Sequence, residues 1–321
     1  MAEYKAIRGH TIRTIAGDPS PLVTGDIWYS STAKKIRGAK IAAGAWASGG
    51  NLTAAKHSPG GAGTQTAALC MGGITTETVG QSEEYNGSSW TEGNDLNTAL
   101  AYMTGIGIQT AALAVGGTSA STVVQSYDGT DWSEGTALNT GRGIAGGAGT
   151  QTAGLIFGGG EPQIDNTESW NGSAWTEVAD LSGVRMGHAG FGTTNTAAIC
   201  AGGRPSPPVA DLDLSETWNG TSWTEGNNLN TSRRFLAGSG STTAGIVFGG
   251  VKTPSETKQA VTEAYDGTSW AEVADMATAR MAESATSSPS TLSLAFGGQT
   301  PLSNATEEWT QAAAASSFTS S

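Results

Sequence analysis

The sequence predicts an all-β protein built from six copies of one four-stranded unit, and two regular spacings carry this prediction. A tryptophan recurs at intervals of 44, 42, 43, 48 and 47 residues, and a double glycine follows each one 26 or 27 residues later. The tryptophans are Trp46, Trp90, Trp132, Trp175, Trp223 and Trp270. Self-similarity at such a period is the sequence signature of a repeat architecture. The copies cover residues 36–311.

Each copy contains signals for four short strands, as the copy after Trp90 illustrates. A first strand over 101–108 ends at the turn Gln109-Thr110, and an apolar second strand, AALAV, ends at the double glycine. The third strand, VVQSY, and the fourth, DWSE, are joined through Asp128-Gly129. Asp-Gly and Asn-Gly tolerate the positive φ angles of a hairpin turn. Four antiparallel strands with a period of about 45 residues are typical of one β-propeller blade.

The two ends of the repeat predict closure into a ring. Trp46 has no third strand before it, whereas the last copy has a third strand, Glu307-Glu308-Trp309, without a fourth strand after it. Placing an N-terminal strand around 42–48 beside the last third strand completes a sixth blade and removes an open sheet edge. We therefore expect a six-bladed β-propeller over 36–311, an N-terminal extension or tether over 1–35, and a flexible tail over 312–321.

Composition and charge exclude several classes of protein. The chain has 16 basic and 28 acidic residues, a formal net charge of −12, which argues against nucleic acid as a partner. No apolar run approaches the roughly 20 residues of a membrane span, so no membrane insertion is expected. Cys70 and Cys200 are expected to be buried thiols, and the three histidines lack metal-ligand spacing. The sequence predicts no metal, no cofactor and no catalytic set, and hence no enzyme.

A basic series is the most informative feature for function. Ten residues after the repeated tryptophans stand Lys56, Leu100, Arg142, Arg185, Arg233 and Arg280. A second series lies two residues before the third-strand aromatic and comprises Glu83, Gln125, Glu168, Glu216, Glu263 and Glu307. Two interpretations stand. The cations pair with these glutamates and hold the inner strands, or Lys56, Arg142, Arg185, Arg233 and Arg280, with Arg204 from a variable loop, bind an acidic glycan or a partner's carboxylates.

The motifs also carry a family resemblance. A double glycine after an apolar strand, followed by an aromatic residue and then a tryptophan, resembles the kelch repeat over most of the chain. The segment Gly25-Asp26-Ile27-Trp28-Tyr29-Ser30-Ser31-Thr32 is similar to one near the start of tailed-phage fibre and appendage proteins. Together these features resemble kelch-like structural proteins of phages of marine or cyanobacterial hosts. In kelch domains, basic residues at similar places help to bind acidic ligands.

The resemblance implies a virion structural protein, a tail fibre or appendage. Its N-terminal segment would contact other virion proteins, and its propeller would bind a host-surface glycan or protein. Several copies per particle, or a homo-oligomer, and a location on the particle surface are expected. One alternative is a decoration or assembly module of the capsid or tail without a receptor role. Another is a propeller that degrades glycans, which needs an acid/base set that does not stand out in the sequence.

Overall fold

The computed structural model of the chain describes residues 12–22, 25–160, 162–205, 210–281, 283–286, 289–299 and 301–317. These residues form strands, turns and loops without a helix, so the all-β prediction is confirmed. In this part of the chain, no helical segment has the length and hydrophobicity needed to cross a membrane. The chain divides into two compact units, one formed by 1–44 and 311–321 and the other by 45–310.

The strands are short, mostly three to five residues, and are numbered in chain order. They are β1 (Arg13–Ile15), β2 (Ile27–Ser30), β3 (Lys35–Ile41), β4 (Ala45–Ser48), β5 (Gly60–Thr64), β6 (Ala67–Met71), β7 (Ser82–Tyr85), β8 (Trp90–Glu92), β9 (Thr104–Ile108), β10 (Ala111–Val115), β11 (Val124–Tyr127), β12 (Trp132–Glu134), β13 (Gly146–Thr150), β14 (Ala153–Phe157) and β15 (Thr167–Trp170). They continue as β16 (Trp175–Val178), β17 (Ala189–Thr194), β18 (Ala197–Ala201), β19 (Ser215–Trp218), β20 (Trp223–Glu225), β21 (Ala237–Ser241), β22 (Ala244–Phe248), β23 (Val251–Lys252), β24 (Thr257–Lys258), β25 (Thr262–Tyr265), β26 (Trp270–Glu272), β27 (Ser284–Ala285), β28 (Leu292–Phe296), β29 (Thr306–Thr310) and β30 (Ala313–Ser317).

The described residues of the unit 45–310 form six antiparallel four-stranded sheets, which we call repeat sheets 1 to 6. Sheet 1 is β5–β8, sheet 2 is β9–β12, sheet 3 is β13–β16 and sheet 4 is β17–β20. Sheet 5 has the order β21-β22-β25-β26, with the small hairpin β23–β24 inserted after its second strand. Sheet 6 has the order β27-β28-β29-β4 and so combines strands from both ends of the unit. Repeated four-stranded antiparallel sheets are consistent with a β-propeller.

The first strands of the repeat sheets contact one another in order, from β5 to β9, β13, β17, β21 and β27, and β27 also contacts β5. Glycine permits this close approach. A Cβ atom on Gly105 of β9 would lie 2.2 Å from the carbonyl oxygen of Gly61 in β5. A side chain at that position would therefore push neighbouring sheets apart.

Pairing between β4 and β29 completes sheet 6. The register places Trp46 opposite Trp309 and Ala45 opposite Thr310. The Trp46 ring lies 4.8 Å from that of Phe248 in sheet 5, measured between ring centroids, and its Nε1–H donates to Thr262 Oγ1 at 3.0 Å. Strand β4 thereby contacts both β29 of sheet 6 and the neighbouring sheet 5.

Large rings fill the space between neighbouring sheets. Trp90 of sheet 1 is buried and donates from Nε1 to Thr306 Oγ1 of sheet 6 at 2.9 Å, and Trp223 of sheet 4 donates to Thr167 Oγ1 of sheet 3 at 3.0 Å. The repeated aromatics therefore form part of the core between sheets. Cys70 and Cys200 are buried free thiols, as expected.

The other unit is a sheet of its own, with the strand order β1-β2-β3-β30. The residues that form this unit differ from those expected for the two ends of the chain. Residues 36–41, which we placed in the propeller, belong to β3, because this strand pairs with β2 and β30. Residues 313–317, which we placed in a flexible tail, form β30. The division between the units falls after residues 44 and 310. Residues 1–11, 23–24 and 318–321 of the expected tether and tail lie outside the described residues.

Candidate functional site

In five of the six repeat sheets, as far as their residues are described, a buried ion pair joins the third strand to a cation that lies four residues before the first strand. The pairs are Lys56–Glu83 at 2.9 Å, Arg142–Glu168 at 2.7 Å, Arg185–Glu216, Arg233–Glu263 at 3.0 Å and Arg280–Glu307 at 2.7 Å. Each of these side chains is exposed by 5% or less. The basic series and the glutamate series seen in the sequence therefore form one set of ion pairs.

Both members of a pair also bind backbone groups, as sheet 3 shows. Arg142 donates from Nη1 to the carbonyl oxygen of Asn166 at 2.6 Å, while the amide of Thr140 donates to Glu168 Oε1 at 3.0 Å. Burial lowers the pKa of Arg142, and the charge of Glu168 opposes this shift. The pair thus fixes the connection that enters the first strand and the connection that precedes the third.

This geometry corrects our interpretation of the basic series as a ligand-binding ring. Lys56, Arg142, Arg185, Arg233 and Arg280 are each enclosed within their own sheet and paired, so they offer a ligand no exposed charge. The geometry favours the alternative in which the cations hold the inner strands. Arg204 lies apart from them, half-buried in the second-to-third connection of sheet 4, where its backbone bridges to Met186.

Sheet 2 replaces both members of the pair at once. Leu100 stands in the place of the cation and Gln125 in the place of the glutamate, and both are buried. The Gln125 amide accepts from the Thr98 amide at 3.2 Å and donates back to the Thr98 carbonyl at 3.0 Å. A neutral side chain thereby holds the same connection without leaving a buried charge unpaired.

A funnel opens on the face where the second-to-third connections lie, which we call the loop face. It consists of three cavities with shared lining residues. The outer cavity is about 480 Å³, the middle one about 90 Å³ and the deepest about 140 Å³. Tyr102, Ile144 and Phe235 line both the outer and the middle cavity. The residues common to the middle and deepest cavities are Pro59, Met103, Ala145, His188, Leu236 and Glu283.

Glu283 is the distinctive residue of the funnel. It is 8% exposed, and neither carboxyl oxygen has a hydrogen-bond partner among the described residues. Burial raises the pKa of this carboxyl group to about 8, against the opposing charges of Arg280 and Arg233. At neutral pH the group is therefore mostly protonated and can donate as well as accept a hydrogen bond.

His188 stands at the equivalent position of sheet 4, thirteen residues after its repeated tryptophan. Its Nε2 lies 3.0 Å from the amide nitrogen of Gly146 and 3.2 Å from the carbonyl oxygen of Phe157. Its Nδ1 is buried and has no partner among the described residues. Burial lowers the pKa of His188 to about 3, with a further contribution from Arg185, so the ring is neutral.

The wall of the funnel has an unusual backbone. Tyr102, Ile144 and Phe235 have φ values of 57°, 58° and 54°, a left-handed conformation that is strained for a β-branched or bulky residue. Arg234 braces Phe235, since its guanidinium carbon lies 5.5 Å from the ring centroid, while Asp211 and Glu256 hold the guanidinium at 2.8 and 2.6 Å.

The ionisable residues of the funnel were not predicted from the sequence. A signal was present: at the thirteenth position after the tryptophan, four copies carry Pro59, Met103, Ala145 and Leu236, and only His188 and Glu283 are ionisable. An ionisable residue at a repeat position that is otherwise apolar is a candidate functional residue. How deeply its side chain is buried depends on how the six sheets pack together.

Glu283 is the one carboxylate among the described residues that line the three cavities, whereas glycoside hydrolysis commonly uses two. In the described part of the chain, no cluster of three or more His, Cys, Asp or Glu side chains could hold a metal ion. No family model matches the chain, and no curated protein matches its sequence.

Proposed function

We propose that the unit 45–310 is a six-bladed, kelch-like β-propeller closed through β4, and that the chain is a structural protein of a phage particle. In this proposal it is a tail fibre or appendage that binds a host surface or another virion protein through its loop face. The observation that carries the proposal is the contrast between an internally fixed frame and a face that varies from copy to copy.

The frame repeats with little variation, because buried ion pairs and interlocked tryptophans recur around the unit. The second-to-third connections differ. From the first glycine to the third-strand aromatic they measure 13, 11, 12, 16, 16 and 12 residues. Loops on a fixed scaffold are the usual place for recognition, since they change without disturbing the core.

The N-terminal part supports a separate attachment role. The segment 25–32, which resembles phage appendage proteins, includes β2 and lies in a different compact unit from the repeats. Attachment and display would then be tasks of different parts of the chain. Several copies on one particle would multiply weak contacts with a surface.

The test is localisation on purified particles of the phage that encodes the chain, with an antibody against residues 50–300. We expect gold at fibres or tail tips, and we expect the full chain to compete with infection. Gold over the head without competition would favour a decoration module. Intact particles without gold, and without the chain among their proteins, would refute the virion proposal.

A matched pair of variants tests the role of the loop face. We expect replacement of 251–258, the hairpin β23–β24, by a Gly-Ser linker to reduce competition. The control is Asn219→Asp, which gives the turn 219–222 the sequence of the turn 266–269. This turn lies at the end of the strands opposite the loop face, so the control should leave competition unchanged. Equal effects of both variants would contradict recognition by the loop face.

A further inference from the structure

The sheet β1-β2-β3-β30, which we call the flanking sheet, exposes one apolar face. Ile27 and Ile36 are 40% and 43% exposed, and the register pairs Ile36 with Tyr29, two residues after Ile27 in β2. Alternate residues of a strand share a face, as do directly paired residues, so these three side chains lie together. Trp28 lies on the other face and is buried. Ile12, also exposed, directly precedes β1, which pairs with β2. Such a group of exposed apolar side chains is typical of an interaction surface.

The two units of the chain carry opposite net charge. Residues 1–44 and 311–321 contain seven basic and three acidic residues, a formal net charge of +4, whereas 45–310 contain nine basic and 25 acidic residues, a formal net charge of −16. In the flanking sheet, Arg13 is exposed on the edge strand β1, and Lys34 and Lys35, directly before Ile36, are exposed as well. Two copies of this face would therefore repel each other, whereas an acidic surface would attract it.

Two turns of sheet 2 form a complementary surface on the unit 45–310. Ile108 ends β9 and is 52% exposed, the highest value among the exposed large hydrophobic side chains of the described residues. Asp128 and Asp131 are exposed in the turn between β11 and β12. The two turns lie against each other, since a Cβ atom on Gly129 would lie 3.3 Å from the carbonyl oxygen of Thr110. We call Ile108, Asp128 and Asp131 the sheet 2 patch.

Sheet 2 differs from the other sheets at both of these turns. The position of Ile108 is a hydroxyl residue in sheets 1, 3, 4 and 5, namely Thr64, Thr150, Thr194 and Ser241. The position of Asp131, directly before the repeated tryptophan, is Ser89, Ala174, Ser222 and Ser269 in the same sheets. The turns themselves therefore require neither isoleucine nor a second carboxylate. An exposed branched apolar side chain beside two carboxylates indicates contact with another molecule.

The basic residues of the unit 45–310 lie away from this patch. Five of the nine form the buried ion pairs of the repeat sheets. The other four lie at the loop face, at the opposite end of the strands, and are Arg204, Arg234, Lys252 and Lys258. The flanking sheet and the sheet 2 patch thus both combine exposed isoleucine with charge, and their charges have opposite sign.

We propose that the flanking sheet of one copy docks on the sheet 2 patch of a second copy, with the isoleucine side chains in contact and the cations beside Asp128 and Asp131. The contact joins two different surfaces and is therefore heterologous. An apolar centre with a charged rim is the usual anatomy of a protein interface. This inference goes beyond the proposed function, because it concerns contact between copies of the chain and leaves the loop face free.

Analytical ultracentrifugation of the full chain tests the proposal. We expect the weight-average mass to rise above the 32.3 kDa of one chain as the concentration increases. The mass should fall back toward that of one chain between about 0.1 and 1 M salt, because the Debye length falls from about 10 Å to about 3 Å. A chain that stays monomeric up to about 1 mM, where even weak interfaces form, would overturn the proposal.

Two double variants, each lacking one surface, distinguish this contact from contact between like faces. The sheet variant, Ile27→Thr with Ile36→Thr, keeps β-branched residues in the strands. The patch variant, Ile108→Thr with Asp131→Ser, has the residues of sheet 1 at these positions. We expect each variant alone to be monomeric where the unaltered chain associates. Their mixture should associate, because the intact patch of one can bind the intact sheet of the other. A monomeric mixture, or association of either variant alone, would overturn the proposal.

The matched control is Asp266→Asn, which removes a carboxylate from the equivalent turn of sheet 5 and gives it the Asn-Gly of sheets 1, 3 and 4. It should associate like the unaltered chain, and a loss as large as that of the patch variant would contradict a specific role of sheet 2. Tryptophan fluorescence verifies folding of each variant. A monomeric chain that is found on particles would overturn this inference and leave the proposed function standing, whereas an associating chain that is absent from particles would do the reverse.

Discussion

At the scale of single residues, the buried ion pair behaves as one unit. Lys56 and the four repeated arginines each have a carboxylate partner, and sheet 2 lacks both partners together. Physical chemistry explains why single losses are avoided: removing one member leaves an uncompensated buried charge, whereas replacing both by neutral groups is close to neutral in free energy.

We therefore expect Arg233→Leu to lower the free energy of unfolding by about 3–5 kcal/mol. Adding Glu263→Gln, which recreates the Leu100–Gln125 pair of sheet 2, should restore more than half of that loss. Urea denaturation followed by tryptophan fluorescence measures both. The control is Arg37→Leu, which breaks the partly exposed Arg37–Asp18 pair and should cost only about 0–1 kcal/mol. A double variant less stable than the single one would contradict this account.

Glu283 and His188 change the free energy of unfolding in opposite directions as the pH rises. The raised pKa of Glu283 means that the folded chain keeps a proton that the unfolded chain releases, so this contribution falls as pH rises from 4.5 to about 8. The lowered pKa of His188 means that the unfolded chain binds a proton first, so its contribution is lost as pH falls from 6.5 to about 3. Between about pH 4.5 and 6.5 the two contributions change in opposite directions and cancel. The free energy of unfolding is therefore nearly constant over this range and falls on either side of it.

We expect Glu283→Gln to flatten the alkaline side of this profile and His188→Gln to flatten the acid side. Each slope is at most that of one proton, about 1.4 kcal/mol per pH unit. Urea denaturation between pH 3 and 9 measures the profiles. Identical profiles for the unaltered chain and both variants would show that neither group titrates differently on folding.

At the scale of elements, the turn between the first two strands clamps each of sheets 1 to 4 to the sheet before it. Gln109 donates from Nε2 to the carbonyl oxygens of Ala68 and Tyr85 in sheet 1, at 3.0 and 2.8 Å. Gln65 donates likewise to Trp309 in sheet 6, at 2.6 Å. The GTQT pattern is thus more than a turn signal, because its amide satisfies backbone groups of another sheet.

We expect Gln109→Ala to cost about 1–3 kcal/mol, since it leaves two carbonyl groups without their donor. The neighbouring Thr110 is exposed in the same turn, so Thr110→Ala should change stability by no more than about 0.5 kcal/mol. Thermal and urea unfolding of both variants measure the difference. Equal effects would show that the turn, and not the clamp, determines stability.

Local signals predicted the strands and hairpins well, because period, glycine and Asn-Gly turns act within one copy. Asn86 and Gly87, for example, form a turn in which the Asn86 side chain accepts from the amides of Ser88 and Ser89. The partners of Gln109 and the depth of Glu283 could not be predicted. They depend on how separate sheets pack, and a repeat spacing gives a position along the chain without the direction of its side chain.

At the scale of the whole unit, β4 is the strand that joins the two ends of residues 45–310. The indole of Trp46 packs on Phe248 and Trp309 and donates to Thr262, so one side chain connects three strands far apart in sequence. If the ring is closed through β4, this tryptophan contributes as much as one within a continuous copy.

We expect Trp46→Ala to lower the free energy of unfolding by about 3 kcal/mol or more, close to the effect of Trp132→Ala in sheet 2. Urea denaturation of both variants provides the comparison. A loss below about 0.5 kcal/mol for Trp46→Ala, beside a large loss for Trp132→Ala, would show that sheet 6 is open in solution.

The pairing of Ala45 with Thr310 has an evolutionary consequence. Residues in register on antiparallel strands have Cα atoms about 4.5–5.5 Å apart, so the 45–310 module begins and ends at nearly one point. In sequence it is an insertion between β3 and β30, which pair with each other. A gene could therefore exchange the whole module by recombination at two codons while the flanking sheet keeps its own pairing. We expect related chains to retain the flanking sheet and carry different inserts.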